Sequence, residues 1–437
     1  MNAVQSSNVI PLVGTTLARI ISVIHRVKKT ADGEEHPTLV AIMEPDGTFN
    51  RFDLATEREE FDFITADGKF ADIGLRSGDT VITTLGGSGD RLSFAMSRML
   101  QEVGGVLHRI PSFHLKNFKE TPAFAELDED MRDDVMLLHA MWGSVPKNFF
   151  ECRIRDREII RISELYRAFK DAQQERMKCA NRLRARLIGS LFLSEEGKYP
   201  EGKIEDWFDA QKANDPIFLS LEKEEKTAKL QLEKALKMTR IAELFDAIQG
   251  CGPSIIGGLI CSIGDIRRFS GPEKLASYLL GLSMLAETGK FPRARRGIRT
   301  NWNRAGRQTL FLLSDQFNRR PDSEWGKKLR ENKGYYRAKH PNTLLVEKKG
   351  VEETGREFIL EPGLCERKGN KYQVFDADGV IIEEVRGTQR YYDGHIHRMA
   401  VWKTLREFVH FLYHTWTEFE KAEYVPVEKK ARAKKVA

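Results

Sequence analysis

Alternating apolar and polar positions near the N-terminus predict β-strands. Residues 17–27 and 38–43 are rich in β-branched and aliphatic side chains, residues 45–47 are a Pro-Asp-Gly turn, and residues 48–54 alternate like a third strand. The pattern that follows predicts a helix, a strand, a helix and a strand, at residues 57–65, 80–84, 90–103 and 106–110. This order predicts a mixed α/β domain, to which we assign residues 1–150.

The middle of the chain has the periodicity of long helices. Between residues 156 and 249, apolar side chains recur at the three- and four-residue steps of a helix. Two such segments are separated by a connection, residues 194–215, that contains glycine and proline. They predict an antiparallel coiled-coil arm or a pair of oligomerisation helices over residues 151–240. The alternative is that both helices pack on their own domain.

The C-terminal part contains a stretch of different amino-acid composition. Residues 343–394 are rich in glycine and glutamate and contain short alternating runs, which predict a small β-insertion. Helical patterning precedes it at 325–340 and resumes at 397–419. The predicted fold class is therefore α/β plus α. The predicted domains are 1–150, 151–240, 241–342 (a helical C-terminal domain), 343–394 (the insertion) and 395–437 (a helix and a basic tail).

The composition favours a protein of the cytoplasm. Of the 437 residues 41% are hydrophobic and 31% charged, and no apolar run approaches the ~20 residues of a membrane span. The N-terminal residues lack the basic start and cleavage site of a secretory signal. The five cysteines form no Cys-x-x-Cys pair, so neither a zinc site nor a disulfide framework is indicated. We expect a cytoplasmic protein with no membrane partner.

The motif most indicative of function is Gly-Cys-Gly-Pro at residues 250–253, between two apolar helical segments. Glycine lets a backbone approach a ligand closely, and proline begins a helix whose free N–H groups can bind phosphate. The second segment carries small residues that predict close packing of another element: Gly257, Gly258 and Gly264. The motif predicts a helix-hairpin-helix-like element with Gly250 and Gly252 as nucleic-acid-binding residues. The alternative is an ordinary helical hairpin with glycine caps.

A run of positive charge follows this element. The net charge of the chain is only +6, but residues 290–307 contain seven cations and no acid, with Trp302 inside the run. Arginine binds phosphate oxygens bidentately, and each neutralised phosphate releases counterions. The alternative is a solvated charged face. The run is nearly all arginine and follows a phosphate-type turn, so we predict nucleic-acid binding by Lys290, Arg293, Arg295, Arg296, Arg299, Arg304 and Arg307.

These motifs, taken in order, resemble those of a known family. After the 250–253 turn come Ile-Gly-Asp-Ile-x-x-Phe at 263–269, Leu-Ala-x-Tyr at 275–278, the pair Thr288-Gly289 and the arginine-rich run. This part of the chain resembles the C-terminal domain of the insertion sequence 110/116/902 (DEDD) transposases and of their relatives, the Piv-type invertases. The resemblance is specific from about residue 241 to residue 316.

The resemblance carries expectations about fold and partners. It implies an N-terminal RNase H-like (RuvC-like) domain, and the element order in residues 1–150 is also that of such a domain. It implies a homo-oligomer that binds DNA, then cleaves and rejoins strands through a hydroxyl nucleophile. Some members of the family use a structured non-coding RNA to choose DNA sites, so RNA is a second expected partner.

The resemblance also implies four carboxylates that hold two metal ions. They are an Asp on the first strand, a Glu on the fourth and two Asp on the helix after the fifth. The corresponding residues are His25, Gly86, Met131 and Asp134, so only Asp134 keeps its acid. We predict at most weak Mg²⁺ binding, with Asp134 as the candidate metal ligand and catalytic acid. Asp130 and Asp133 lie beside the expected helix positions and could be the matching acids in a register shifted by one residue. Glu44, Asp46 and Asp90 are further acids that could substitute; the alternative is that Asp46 belongs to a turn and Asp90 caps a helix.

The family's nucleophile is a serine before a glycine, and this position holds Thr288. Thr288 is therefore the catalytic candidate, although its β-methyl group crowds an attack on phosphorus. Two functions follow: a transposase-type recombinase that cleaves and rejoins DNA, or a derivative that binds nucleic acid and has lost catalysis. A third hypothesis is a nucleotide-binding enzyme built on the glycine-rich loop at residues 85–90, which lacks the Gly-Lys-Ser/Thr of a P-loop.

Overall fold

The computed structural model describes residues 18–27, 35–87, 89–125, 132–195, 201–282, 300 and 302–422. The chain divides into two compact units, one that ends at Ile241 and one that begins at Ala242. The four predicted boundaries between the five domains remain predictions. Among the described residues, no helix is long and apolar enough to cross a membrane.

The described part of the first unit is built on a six-stranded mixed sheet in the order β3-β2-β1-β4-β5-β6. Strands β1 to β3 are antiparallel neighbours, β4 and β5 run parallel to β1, and β6 is antiparallel to β5. In this register Ser22 on β1 lies between Ala41 and Ile82. The strands are β1 (Ile20–Ile24), β2 (Thr38–Met43), β3 (Phe49–Leu54), β4 (Thr80–Leu85), β5 (Val106–Pro111) and β6 (Phe150–Glu151).

Helices cover both faces of this sheet because the buried strand residues alternate between the two faces. Ile21 and Val23 belong to the same core as Phe63 and Met96 of the first two helices. The opposite core contains Ile82 and the residues of the helices that follow β5. These helices are α1 (Glu57–Thr65), α2 (Gly89–Val103), α3 (Ser112–Lys119), α4 (Pro122–Ala125) and α5 (Asp134–Ser144).

Two long helices follow the sheet, as the periodicity predicted. They are α6 (Ile154–Phe192) and α8 (Pro216–Leu236), with the shorter α7 (Ile204–Asn214) between them in sequence. They pack on each other through Leu183 and Phe218, which lie in one buried cluster, and through an ion pair between Arg176 and Glu225.

The described part of the second unit combines helices with two small sheets. Its helices are α9 (Pro253–Ile263), α10 (Pro272–Leu280), α11 (Arg304–Arg319), α12 (Glu324–Lys339) and α13 (Asp393–Lys421). Its strands form two three-stranded sheets, β12-β7-β8 and β11-β10-β9. They are β7 (Thr343–Lys348), β8 (Val351–Ile359), β9 (Cys365–Lys368), β10 (Lys371–Phe375), β11 (Ile381–Val385) and β12 (Gly387–Arg390). All six strands lie within the predicted β-insertion, and the two sheets share a core with Leu344 and Val374.

A half-buried histidine is expected to make the first unit sensitive to acid. The His139 ring on α5 packs edge-on against Phe49, and burial lowers the pKa of His139 to about 4. The unfolded chain, with a histidine pKa near 6.5, binds more protons between these values. The histidine therefore opposes folding increasingly as pH falls from about 6.5 to about 4.

Between pH 7.5 and pH 5, protonation of His139 in the unfolded chain should lower the free energy of unfolding of the wild-type first unit by about 2 kcal/mol. His139→Leu should not show this loss. Urea unfolding followed by hydrogen exchange of the α5 peptide measures the difference. His414→Leu, which removes an exposed histidine of α13, is the control. An equal loss of stability in wild type and His139→Leu would contradict the burial of His139.

Candidate nucleic-acid interface

The Gly-Cys-Gly-Pro turn has two glycines with different structural roles. Gly250 has a φ of +91°, and a Cβ placed on it would lie 2.8 Å from the Cβ of Gln316 and 3.2 Å from an Arg320 guanidinium nitrogen. A Cβ placed on Gly252 would meet no atom within 4 Å, so the space before α9 is open there. Gly250 is therefore required by backbone conformation and packing. Gly252 leaves room for a ligand.

The residues before this turn differ from the prediction in one respect. The sequence pattern predicted an apolar α-helix, whereas Arg240–Phe245 is a 3-10 helix. The tight hydrogen bonds continue from Ile248 N–H to the Phe245 carbonyl and from Cys251 N–H to the Ile248 carbonyl. The apolar face is nevertheless correct, because Ile241, Phe245 and Ile248 are buried. A short 3-10 helix lets these three side chains reach the core just before the glycine turn.

The N-terminus of α9 has features of an anion site. Gly252 is its cap residue and provides no side-chain hydrogen bond, and Pro253 occupies the first turn. The N–H groups of Ile255 and Ile256 are used by the Gly252 carbonyl at 2.9 and 3.0 Å. The remaining first-turn N–H, from Ser254, and the positive end of the helix dipole can favour a phosphate here.

The close packing predicted from the small residues of α9 is present within the helix but not at Gly264, which ends α9 with a φ of +66° and where an added Cβ would meet no atom within 4 Å. Gly257 and Gly258 are buried, and α11 packs against α9. A Cβ placed on Gly306 of α11 would lie 2.6 Å from Leu279 and 3.1 Å from Ser262. These glycines allow α9, α10 and α11 to approach one another closely.

The residues that flank the arginine-rich segment meet on this helical scaffold. Gly281 ends α10 with a φ of +70°, and Asn303 begins α11. The Asn303 backbone N–H donates to the Tyr278 carbonyl at 2.7 Å, its side-chain amide contacts the Tyr278 hydroxyl at 3.0 Å, and its Oδ1 accepts from Gly306 N–H. The residues on either side of 283–299 therefore form one anchored stem. Of the predicted site residues, Thr288, Lys290, Arg293, Arg295, Arg296 and Arg299 lie outside the described residues.

Arg307 is held at this stem between two tryptophan rings. Its guanidinium lies 4.8 Å from the ring centre of Trp302 and 4.7 Å from that of Trp402 on α13. Burial lowers the pKa of Arg307, and no described carboxylate pairs with it. Stacking fixes the plane of a guanidinium while its edge N–H groups stay available for an oxyanion. Arg304 is exposed in the first turn of α11, where a cation is disfavoured by the helix dipole.

Arg268 repeats this arrangement and was not predicted from the sequence. Its guanidinium lies 4.6 Å from the ring centres of both Phe269 and Tyr278. Its Nε is buried without a hydrogen-bond partner in the described structure. The sequence signal was the neighbouring pair Arg268-Phe269, but Tyr278 is brought to the cation only by α10.

Three of the four positions where the resemblance implies a carboxylate hold a residue without one. His25 follows β1, and its Nε2 lies 3.7 Å from Glu60, which Arg26 also binds. Gly86 follows β4 with a φ of +104°, and its N–H donates to Asp90. Met131 lies outside the described residues.

Asp134, the one acid that matches the implied pattern, lies in the first turn of α5 and pairs with Lys119 at 2.5 Å. Its neighbour Asp133 caps α5 and pairs with Arg51. Asp90 pairs with the buried Arg109 at 3.3 Å, which also contacts Asp156. Arginine and lysine thus neutralise Asp90, Asp133 and Asp134, whereas Asp46 accepts a hydrogen bond from Thr48 N–H in its turn. Among the residues that the structure describes, no group of acids converges as a two-metal centre requires.

We therefore expect no saturable heat when Mg²⁺ is titrated into the full chain. Asp134→Ala should give the same flat titration, because Lys119 already compensates the Asp134 carboxylate. Calorimetry measures both titrations, with Lys119→Gln as a third sample. Tight, stoichiometric Mg²⁺ or Mn²⁺ binding that disappears in Asp134→Ala would show that the acids are assigned to the wrong positions.

Comparison with known proteins gives one result for this helical scaffold. Residues 242–329 match the family model described as the Transposase IS116/IS110/IS902 family. The match spans the glycine turn, α9, α10, the arginine-rich segment and α11, so the predicted resemblance is confirmed over these residues. No curated protein sequence matches the chain.

Proposed function

We propose that the protein binds DNA as a transposase-type protein, through the second unit. The observation that carries the proposal is Arg307, held between Trp302 and Trp402 without a described acid partner, at the stem of the arginine-rich segment. A cation that is oriented and desolvated in advance loses little entropy when it binds a phosphate oxygen.

A DNA strand can lie along the helix pair α9 and α11. Arg320, at the C-terminal end of α11, lies beside Gly250 and so beside the glycine turn. Arg307 lies near the other end of α11, and at 1.5 Å per residue the two arginines are about 20 Å apart along the helix. That distance corresponds to about six nucleotides of one DNA strand at 3.4 Å each. In this proposal the glycine turn and the anchored stem contact the backbone of the same DNA strand.

The proposal also includes three finer features of the fold. The sheet order β3-β2-β1-β4-β5, with β1 to β3 antiparallel and β4 and β5 parallel to β1, supports an RNase H-like first unit. The glycine turn followed by α9 supports a helix-hairpin-helix-like element. The packing of α6 on α8 supports a coiled-coil arm.

We assign the expected homo-oligomer contact to this arm. Several of its large apolar side chains are exposed, and exposed apolar surface of this kind marks interaction sites. They are Met177, Phe192, Leu193, Ile217 and Leu230. A structured non-coding RNA remains the second partner that the family resemblance implies.

A second candidate function is DNA binding without cleavage. It is favoured by the ion pairs of Asp90, Asp133 and Asp134, which neutralise these three acids of the first unit. In the first candidate, strand cleavage and rejoining depend on the hydroxyl of Thr288. Both candidates share the DNA-binding surface and differ only in the chemical step.

The shared proposal is tested by the salt dependence of DNA binding. Fluorescence anisotropy of the full chain on a labelled duplex should show an affinity that falls steeply as salt rises, because binding releases counterions. A salt-independent affinity, or no binding at low salt, would remove DNA binding by phosphate contacts from consideration.

A further inference from the structure

A ladder of aromatic rings lies where the β-strands of the second unit join α12 and α13. Tyr336 stacks on His340 at 6.1 Å and 14°, and His340 stacks on Tyr391 at 4.6 Å and 24°. His395, on the first turns of α13, continues the series at 5.7 Å from Tyr391. We call these four residues the aromatic ladder. None of them lies within the matched residues 242–329.

The backbone at the centre of the ladder is strained. Tyr391 has a φ of +54°, which is a left-handed backbone conformation. A bulky side chain raises the free energy of this conformation, whereas glycine adopts it freely. Arg337 holds it by donating to the Tyr391 carbonyl at 2.9 Å. Strain of this kind persists where the surrounding structure fixes it, and it concentrates at functional sites. Here it places the Tyr391 ring against His340.

Cations lie along the same surface. Lys403 lies 4.0 Å from the ring centre of Tyr335, the neighbour of Tyr336, and Lys339 lies 5.9 Å from it. Arg398 donates to the Tyr392 hydroxyl at 2.8 Å. No described carboxylate pairs with Lys339, Lys403 or Arg398.

Two further arginines are compensated by acids. Arg337 pairs with Asp393, and Arg390 pairs with Glu357 at 3.6 Å while its guanidinium lies 5.3 Å from the Tyr391 ring centre. The uncompensated charge therefore lies along the ladder. Tyr335 and Tyr392 are 49% and 43% exposed, and His395 is exposed as well. These three rings are available to a ligand, whereas Tyr336, His340 and Tyr391 are half-buried and stack on one another.

We propose that the aromatic ladder and its cations bind unpaired nucleotides of a single strand of nucleic acid. Exposed aromatic faces stack on bases, and lysine and arginine beside them contact the phosphates that link those bases. A duplex keeps the faces of its bases stacked on each other, so its bases cannot use such a ladder. The occupant is therefore single-stranded, and base stacking tolerates any sequence.

This surface extends the proposed function, since it adds a single-strand site to the duplex-binding one. The two sites use different residues and can fail separately. Arg295, Arg296 and Arg299 are tested on duplex DNA, whereas Tyr335 and Tyr391 are tested on single strands.

The test uses the full chain and labelled oligouridylate and oligothymidylate of about 12 nucleotides, within the site sizes of single-strand binders. Tyr391→Gly removes the central ring and suits the left-handed backbone, so it should fold normally. We expect its single-strand affinity to fall at least tenfold, because the ring against which His340 and the exposed His395 pack is lost. Duplex affinity should stay within twofold of wild type.

A second variant protects the test against misfolding. Tyr335→Ala with Lys403→Gln changes side chains on helices and leaves the strained backbone intact, and it should also lose at least tenfold on single strands. Phe113→Ala, which removes an exposed ring of the first unit, is the matched control and should bind like wild type.

Ladder-dependent binding of either RNA or DNA supports the proposal, and the two probes show whether the 2′-hydroxyl contributes. Wild-type single-strand affinity in both ladder variants overturns it. An equal loss on duplex and on single strands also overturns it, because the ladder would then act without base stacking.

Discussion

Replacing Arg295, Arg296 and Arg299 together with alanine should weaken duplex binding by about 100-fold at physiological salt. Each phosphate contact contributes about 0.9 to the slope of log affinity against log salt, so three lost contacts should reduce the slope by about 3. These residues belong to the segment between Gly281 and Asn303, the two sides of the anchored stem. Anisotropy over a salt series measures affinity and slope together.

The matched control removes three arginines elsewhere. Arg161, Arg182 and Arg186 are exposed on α6, and their replacement with alanine lowers the net charge equally. The control should show a much smaller change in slope, because a general loss of charge acts weakly at a distance in salt. An unchanged slope in the first triple variant would exclude the arginine-rich segment from the DNA contact. Equal changes in both variants would show that net charge alone accounts for binding.

The sequence predicted the elements of the first unit closely because their side chains repeat with a clear period. The predicted helix at 57–65 coincides with α1, and the predicted strands at 38–43 and 80–84 correspond to β2 and β4. These elements bury one face or both, so each apolar position reports a contact with the core. Strands β1 to β5 and the strands within 343–394 follow from the same alternation, whereas the two-residue β6 was not predicted.

Features that depend on distant residues could not be predicted. Trp402 reaches Arg307 only because α13 packs on α10 and α11, and Tyr391 reaches His340 only because β12 returns the chain to α12. The ion pairs of Asp133 and Asp134 likewise involve partners on β3 and α3. A motif identifies a residue type and its local turn. The charges and rings that surround it come from tertiary structure.

The 3-10 helix before the glycine turn shows where periodicity misleads. Ile241, Phe245 and Ile248 have helical spacing and are buried, yet the backbone hydrogen bonds span fewer residues than those of an α-helix. Gly250 packs against Gln316, so the turn must approach α11 closely. The apolar pattern fixes which side chains face the core, whereas the packing of the turn decides how tightly the chain is wound.

In the proposed function the chemical step depends on Thr288, and we expect no covalent adduct between the protein and DNA. In a cleavage reaction, the Thr288 oxygen would form a bond to phosphorus, a DNA oxygen would leave, and the hydroxyl proton would pass to that leaving group. The β-methyl group crowds this attack. Within the first unit, Asp133, Asp90 and Asp134 are neutralised by Arg51, Arg109 and Lys119.

Denaturing gels of labelled DNA incubated with wild type, Thr288→Ala and Thr288→Ser separate the possible causes. Wild type and Thr288→Ala should both lack an adduct and bind duplex equally, since the change leaves the arginines intact. An adduct in wild type that vanishes in Thr288→Ala would establish the recombinase function and exclude the non-cleaving one. An adduct only in Thr288→Ser would show that crowding at the hydroxyl is the sole defect.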